Sequence, residues 1–186
     1  RSDIAWQVGT QVAPPAPPAP AGLGEDDSIA RLLDEAEDII NVSWPDLDPN
    51  DIDTWVQDPA GNLVWFRARE AGLMHLDRDD RGLTNDVIVI DGRQITNPLN
   101  QEVVTLRGIE PGEFTVNLNY YESKNGLPVE VTVSIIKVNP RAEVVYYGQV
   151  TVPRKGDEAT AARFTVLPDG TVTNVNKLPK TLVQRL

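Results

Sequence analysis

The stretch FTVNLNYY, residues 114–121, alternates apolar and polar side chains with a period of two. Phe114 and Val116 would lie on one face of a strand, and Thr115 and Asn117 on the other. This alternation is typical of a strand that has one face in a hydrophobic core and the other in water. The stretch therefore predicts an antiparallel sheet.

The same period recurs along most of the chain, between turn signals such as Asp91-Gly92 and Pro168-Asp169-Gly170. Many short strands with hairpin turns and no helix between them predict an all-β fold, an antiparallel immunoglobulin-like β-sandwich over residues 41–186. A barrel is the alternative. The candidate strands are 40–44, 52–57, 63–67, 87–90, 102–107, 114–121, 129–138, 143–152, 161–167 and 171–175.

A different composition precedes this domain. Residues 11–24, QVAPPAPPAPAGLG, predict extended polyproline II within an N-terminal arm at 1–27. The run IARLLDEAEDII follows Ser28 with helical spacing of its apolar residues, which predicts a short amphipathic helix at 28–40. We expect the arm to engage a protein partner or a larger assembly. The expected partner-binding residues are Trp6, Pro14, Pro15, Pro17 and Pro18.

Composition excludes several function classes. The chain has no cysteine and only one histidine, His75, which excludes disulfides, thiolate nucleophiles, cysteine-bound zinc and multi-histidine metal sites. The net charge is −11, and residues 1–92 hold 19 acids against 6 bases, so a nucleic-acid partner would be repelled. The apolar runs are too short to span a membrane. We expect a periplasmic or extracellular protein, with a signal or membrane anchor before residue 1.

Two acidic stretches lie among the first strands, DLDPNDIDTWVQDPAGN at 46–62 and HLDRDDRGLTND at 75–86. Dense carboxylates repel one another unless a cation neutralises them, and Ca²⁺ takes about six to eight oxygen ligands. Neither stretch is an EF-hand loop, which has glutamate at its twelfth position. Counted from Asp46 the twelfth residue is Gln57, and counted from Asp77 it is Ile88. Any calcium site would therefore be assembled from separate loops of the β-sandwich. Alternatively, the aspartates cap turns and pair with the nearby arginines Arg67, Arg69, Arg78 and Arg81.

Three segments carry a family resemblance: DIDTWVQDPAGNLVWF at 51–66, AGLMHLDRDDRGLTND at 71–86 and GIEPGEFTVNLNYY at 108–121. Their order resembles that of the YfaP-like family of bacterial proteins, over about residues 40–167. The resemblance implies an extracytoplasmic β-sandwich without assigned catalysis. It also implies that this chain is a companion of an inner-membrane proton-channel motor, which would be one kind of partner. It also implies metal ligands at Asp51, Asp53, Asp58, Asp77, Asp79 and Asp80.

Catalysis is not expected from these patterns. His75 lies in an apolar LMHL run, and the sequence has no Gly-x-Ser-x-Gly nucleophile elbow. We therefore expect a noncatalytic, calcium-stabilised binding or assembly module. The alternatives are a virion or surface decoration protein and a carbohydrate-binding or carbohydrate-active domain. In the carbohydrate reading, the stacking platform would come from the rings Trp44, Trp55, Trp65, Tyr120, Tyr121, Tyr146 and Tyr147. The competing role of these rings is core packing, and Trp44 and Trp65 are expected in the core because their neighbours are aliphatic. A concave aromatic groove beside the aspartates would favour glycans, whereas a flat apolar patch would favour assembly.

Overall fold

The structure is a computed structural model that describes residues 36–83 and 86–183. Within these residues the chain forms only strands and turns. The strands are β1 (Asp38–Trp44), β2 (Asp51–Gln57), β3 (Leu63–Val64), β4 (Glu70–Ala71), β5 (Met74–Arg78), β6 (Val87–Ile90), β7 (Arg93–Thr96), β8 (Asn100–Leu106), β9 (Gly112–Glu122), β10 (Val129–Lys137), β11 (Glu143–Val152), β12 (Glu158–Val166) and β13 (Val172–Asn176).

Two antiparallel sheets contain most of these strands. Sheet A has the order β11-β10-β1-β8-β5-β4, and sheet B has the order β13-β12-β9-β2-β3. Strands β6 and β7 form a separate two-stranded ribbon. The two main sheets share one hydrophobic core, as in a β-sandwich.

Alternating burial along the strands shows why this sequence makes two layers. In β1 the odd and even positions alternate strictly, and Ile40 and Val42 are fully buried on the core side. Phe114 of β9 stacks on Phe164 of β12 within sheet B, with ring centroids 5.3 Å apart. Each apolar side chain of this size stabilises the fold by about 1.5–3 kcal/mol when it is fully buried. The period-two pattern thus marks the core face of both sheets. The prediction that the other face of 114–121 lies in water is wrong for most of β9, because Thr115, Asn117 and Asn119 are buried as well.

The all-β, antiparallel prediction is confirmed for the described residues. The end of the predicted helix at 28–40 is wrong, because Asp38–Trp44 is strand β1, paired with β8 on one side and β10 on the other. Ile39 and Ile40 fit a helical stripe, but they are β-branched, and two neighbouring strands supply backbone hydrogen bonds that favour the extended form.

The rest of the predicted helix and the whole arm, including the partner-binding residues Trp6, Pro14, Pro15, Pro17 and Pro18, lie outside the described residues. Within the described ranges, no helix has the length and apolarity needed to cross a membrane.

Candidate metal centre

The open edge of β2 brings two carboxylates of sheet B to a carboxylate of sheet A. Asp51 and Asp53 are two residues apart, so they project from the same face of β2. Strand β3 pairs with only the last two residues of β2, which leaves the backbone N–H of Thr54 to another acceptor. Glu102 of β8 supplies that acceptor, since Thr54 N donates to Glu102 Oε2 at 2.6 Å.

The position of Glu102 is unusual for a charged residue. It lies on the core face of β8, in alternation with Val104 and Leu106, and only 1% of its surface is exposed. Acidic residues are almost never fully buried without a partner of opposite charge. Glu102 therefore marks a place where the fold keeps a carboxyl group inside at a cost in free energy.

A tight turn after β5 carries the fourth acid of this region, Asp79. Gly82 fixes the turn with a φ of +62°, and a Cβ atom there would lie 2.7 Å from the Asn50 carbonyl oxygen and 2.8 Å from that of Pro49. Only glycine permits both this backbone conformation and this approach. The turn is thereby pressed against the start of β2, and Asp79 is brought to the β2 carboxylates.

Oxygen atoms of Asp53, Asp79 and Glu102 all lie within 4.8 Å of one another. Asp51 lies beside them, and we call Asp51, Asp53, Asp79 and Glu102 the acid centre. Asp53 Oδ2 and Glu102 Oε1 are fully buried and have no hydrogen-bond partner among the described residues. The nearest base is Arg81, whose Nε lies 3.9 Å from Asp79 Oδ2. The centre therefore has carboxylates in excess of compensating donors.

Electrostatics follow from this arrangement. Burial, reinforced by the negative charges of Asp51 and Asp79, raises the pKa of Asp53 to about 8. Burial together with Asp79 raises the pKa of Asp51 to about 7. The pKa of Glu102 is raised well above its ordinary value, first by burial and then by Asp53. Without a cation, the centre holds protons at neutral pH.

A cavity of about 330 Å³ opens above the centre. Asp51, Asp53 and Asp79 form part of its wall, and its aromatic rim consists of Phe66 and Tyr121, whose ring centroids lie 5.3 Å apart at 59°. Arg81 and Glu122 complete the wall. The cavity wall thus combines carboxylates with two aromatic rings.

The structure brings together three of the six predicted metal ligands, Asp51, Asp53 and Asp79, and separates the other three. Asp58 caps its own turn by accepting hydrogen bonds from Asn62 N and Asn62 Nδ2, both at 2.7 Å. Asp80 Oδ2 pairs with Arg78 at 3.0 Å, whereas its buried Oδ1 has no hydrogen-bond partner among the described residues. Asp77 is bound by His75, Thr105 and Arg107. These three aspartates follow the alternative reading, turn caps and ion pairs.

The sequence patterns do not point to Glu102 or Phe66 as members of the site, and they indicate Arg81 only as a base that pairs with the aspartates. A usable signal existed for Glu102, since QEVVTL places a carboxylate on the same face as two apolar residues. Trp44 is buried, as expected. Trp65 was expected in the core as well, but it is half-buried and stacks on the buried Trp55 with centroids 4.4 Å apart.

Comparison with protein-family models, with curated proteins and with solved structures gives no match for this chain. The acid centre and its cavity are therefore the features of the chain that point to a function.

Proposed function

We propose that the domain is a noncatalytic binding module whose acid centre holds one Ca²⁺ ion. The observation that supports this most strongly is the convergence of Asp53, Asp79 and Glu102 within 4.8 Å, with buried carboxylate oxygens that no donor in the described part of the chain satisfies. A cation at this point would neutralise three to four carboxylates and supply the missing partner of each oxygen.

The donor set favours calcium over other metals. All the candidate ligands are carboxylate oxygens, which suit hard cations, and the described residues around the centre offer no histidine or thiolate for zinc or copper. The ligands come from β2, β8 and a turn, and such an irregular set fits the flexible coordination of Ca²⁺ better than the strict octahedron of Mg²⁺.

The same geometry supports binding over catalysis. A glycosidase keeps its two carboxyl groups about 5 to 9.5 Å apart on either side of the bond to be cleaved. Here three carboxylates converge on one point, and Glu102 lies behind the cavity wall, bonded to the backbone of Thr54. This arrangement is suited to enclosing an ion.

The finer features expected from the sequence belong to this proposal. They are an immunoglobulin-like sandwich, display in the periplasm or outside the cell, and an N-terminal arm that engages a protein partner. The virion or surface decoration alternative shares the arm but does not require an ion, so calcium dependence separates the two.

The test is thermal unfolding of the full chain in millimolar Ca²⁺ and in EDTA, together with terbium luminescence excited through tryptophan. We expect a higher midpoint in Ca²⁺ and sensitised emission at one terbium per chain, because a ligand that binds only the folded state must stabilise it. Asp53→Asn should lose both signals. Asp46→Asn is the charge-matched control, since Asp46 is exposed and lies outside the centre, and it should keep both. Equal midpoints in Ca²⁺ and EDTA would refute the proposal.

A further inference from the structure

An ion in the acid centre would be enclosed by the protein on one side and exposed to the cavity on the other. Glu102 lies beneath it on the core face of β8, whereas Asp51, Asp53 and Asp79 line the cavity above. Three or four carboxylates leave part of the roughly six to eight oxygen positions of Ca²⁺ unfilled. Those positions would face the cavity, where a ligand could supply the missing oxygen atoms.

The cavity wall also includes two aromatic rings that contact one another, Phe66 and Tyr121. Tyr121, near the end of β9, is 46% exposed although it is a large ring, and it lies against Phe66 in the cavity wall. Phe66 is supported edge-on by Trp65 at 4.9 Å between centroids, and Trp65 stacks on Trp55. The Arg67 guanidinium lies over the Phe66 ring, 5.2 Å from its centroid, so the apolar surface open to a ligand is mainly the ring of Tyr121, which Phe66 contacts from the side.

Charge limits the class of ligand. The centre and its wall carry five carboxylates, those of Asp51, Asp53, Asp79, Glu102 and Glu122. Among the described residues, the bases that face them are Arg81 on the wall and Lys124, which pairs with Glu122 at 2.8 Å. A doubly charged ion leaves the site negative. Acidic ligands would be repelled, and a cationic ligand would compete with the ion for the same carboxylates.

We propose that the cavity binds a neutral saccharide, with two adjacent hydroxyl groups completing the coordination of the ion and the C–H face of the sugar ring packed on Tyr121 and Phe66. This inference rests on the calcium site of the proposed function. The volume of about 330 Å³ is at the lower end for a ligand pocket and suits one sugar unit of a longer chain.

The test is native electrophoresis through gels that contain a neutral polysaccharide, namely mannan, β-glucan or galactan, with polygalacturonate as the acidic counterpart. We expect at least one neutral polymer to retard the full chain in Ca²⁺ and not in EDTA, and polygalacturonate to have no effect. Tyr121→Ala and Phe66→Ala should lose the retardation and keep terbium binding. Tyr147→Ala is the matched control, because Tyr147 is also an exposed tyrosine, 66% exposed on β11, away from the cavity.

The outcomes separate this inference from the proposed function. A calcium-stabilised protein that no neutral polymer retards would overturn the saccharide and leave the calcium site standing. Retardation that persists in EDTA would overturn the role of the ion. Binding of oligolysine that Ca²⁺ abolishes would replace the saccharide with a cationic peptide, and release of reducing ends from the retained polymer would overturn the noncatalytic assignment.

Discussion

Asp77 and Asp79 are two residues apart, yet they lie in opposite electrostatic environments. Asp77 Oδ1 contacts His75 Nδ1 at 2.5 Å and Arg107 Nη2 at 3.2 Å, and its Oδ2 accepts the Thr105 hydroxyl at 2.7 Å. Asp79 meets other carboxylates, and its closest base, Arg81, lies 3.9 Å away. The same acidic sequence thus builds one cluster in which bases contact the carboxylate and one centre in which carboxylates outnumber bases.

The difference follows from the strands. His75 and Asp77 share one face of β5, and β5 pairs with β8. Thr105 of β8 lies opposite His75, and Arg107 follows directly after the last residue of β8. Asp79 lies past the end of β5, in the turn that Gly82 holds against β2. Donors that arrive by strand pairing stabilise Asp77, whereas the turn places Asp79 among acids of another sheet. An acidic stretch therefore indicates a metal site only where strand pairing brings it no bases.

The largest expected effect that distinguishes the two regions is the pH dependence of stability without metal. The pKa of Asp53 rises from 3.8 to about 8 on folding, and that of Asp51 to about 7. The folded state then binds more protons than the unfolded state, so the unfolding free energy falls as pH rises from about 4 to about 8 and levels off above. The total is on the order of several kcal/mol, since one pKa unit corresponds to about 1.4 kcal/mol.

Urea unfolding in EDTA across this pH range measures the slope. The double variant Asp51→Asn, Asp53→Asn should flatten it, because neither amide titrates. Millimolar Ca²⁺ should flatten it too, because the ion favours the ionised carboxylates that the proton would otherwise occupy. Stability in EDTA that rises over this interval would contradict the electrostatic picture of the centre.

The next effect is the calcium response itself. Asp79→Asn should abolish the gain in unfolding free energy that Ca²⁺ gives, about 2.7 kcal/mol when the ion is present at 100 times its dissociation constant. That gain corresponds to a midpoint shift on the order of 5–10 °C for a domain of this size. Differential scanning calorimetry in Ca²⁺ and in EDTA gives the comparison. A full response in the variant would remove Asp79 from the ligand set.

Asp77→Asn should destabilise the protein without changing the gain in stability that Ca²⁺ gives. It takes the charge partner from His75 and Arg107 and weakens the bond from Thr105, so it should cost about 1–3 kcal/mol, the usual loss when one member of a buried hydrogen-bonded group is changed. The loss should be the same in Ca²⁺ and in EDTA, because Asp77 lies outside the acid centre. Urea midpoints under both conditions decide this, and a loss that appears only in Ca²⁺ would place Asp77 among the ligands.

The sequence predicts most of the fold because alternation of side chains along a strand is a local property. The stretch at 114–121 lies within β9, and the stretch at 143–152 is strand β11. Asp38–Ile40 was assigned to a helix because its apolar spacing also fits a helical stripe, and pairing with β8 and β10 decides in favour of the strand. The short β4 and the ribbon strand β7, where every residue is exposed, have no apolar alternation to reveal them.

The candidate site was only partly predictable, for a related reason. Asp51, Asp53 and Asp79 stand out as acids in turn-rich sequence, but the three-dimensional partner of each aspartate is not local. Arg107 lies 30 residues from Asp77, and Glu102 lies 48 residues from Thr54. Strand order and register determine which aspartates meet a base and which meet Glu102, and these depend on the whole of both sheets.

The smallest expected effect concerns Arg81, the one base on the cavity wall. Burial raises the pKa of Asp51 and Asp53, and the positive charge of Arg81 partly offsets that rise. Arg81 therefore compensates the carboxylates in the same way as the ion would, but more weakly. Arg81→Gln should make the metal-free protein slightly less stable and the calcium-bound form tighter. The guanidinium is more than half exposed and 3.9 Å from Asp79, so the interaction is worth about 0.2–1 kcal/mol, or roughly a one- to fivefold gain in affinity. Calcium titration by calorimetry at low and high salt measures it. The gain in calcium affinity should shrink at high salt, because mobile ions screen an exposed charge. Weaker calcium binding in Arg81→Gln would contradict the prediction, since it would mean that the arginine organises the site instead of competing with the ion.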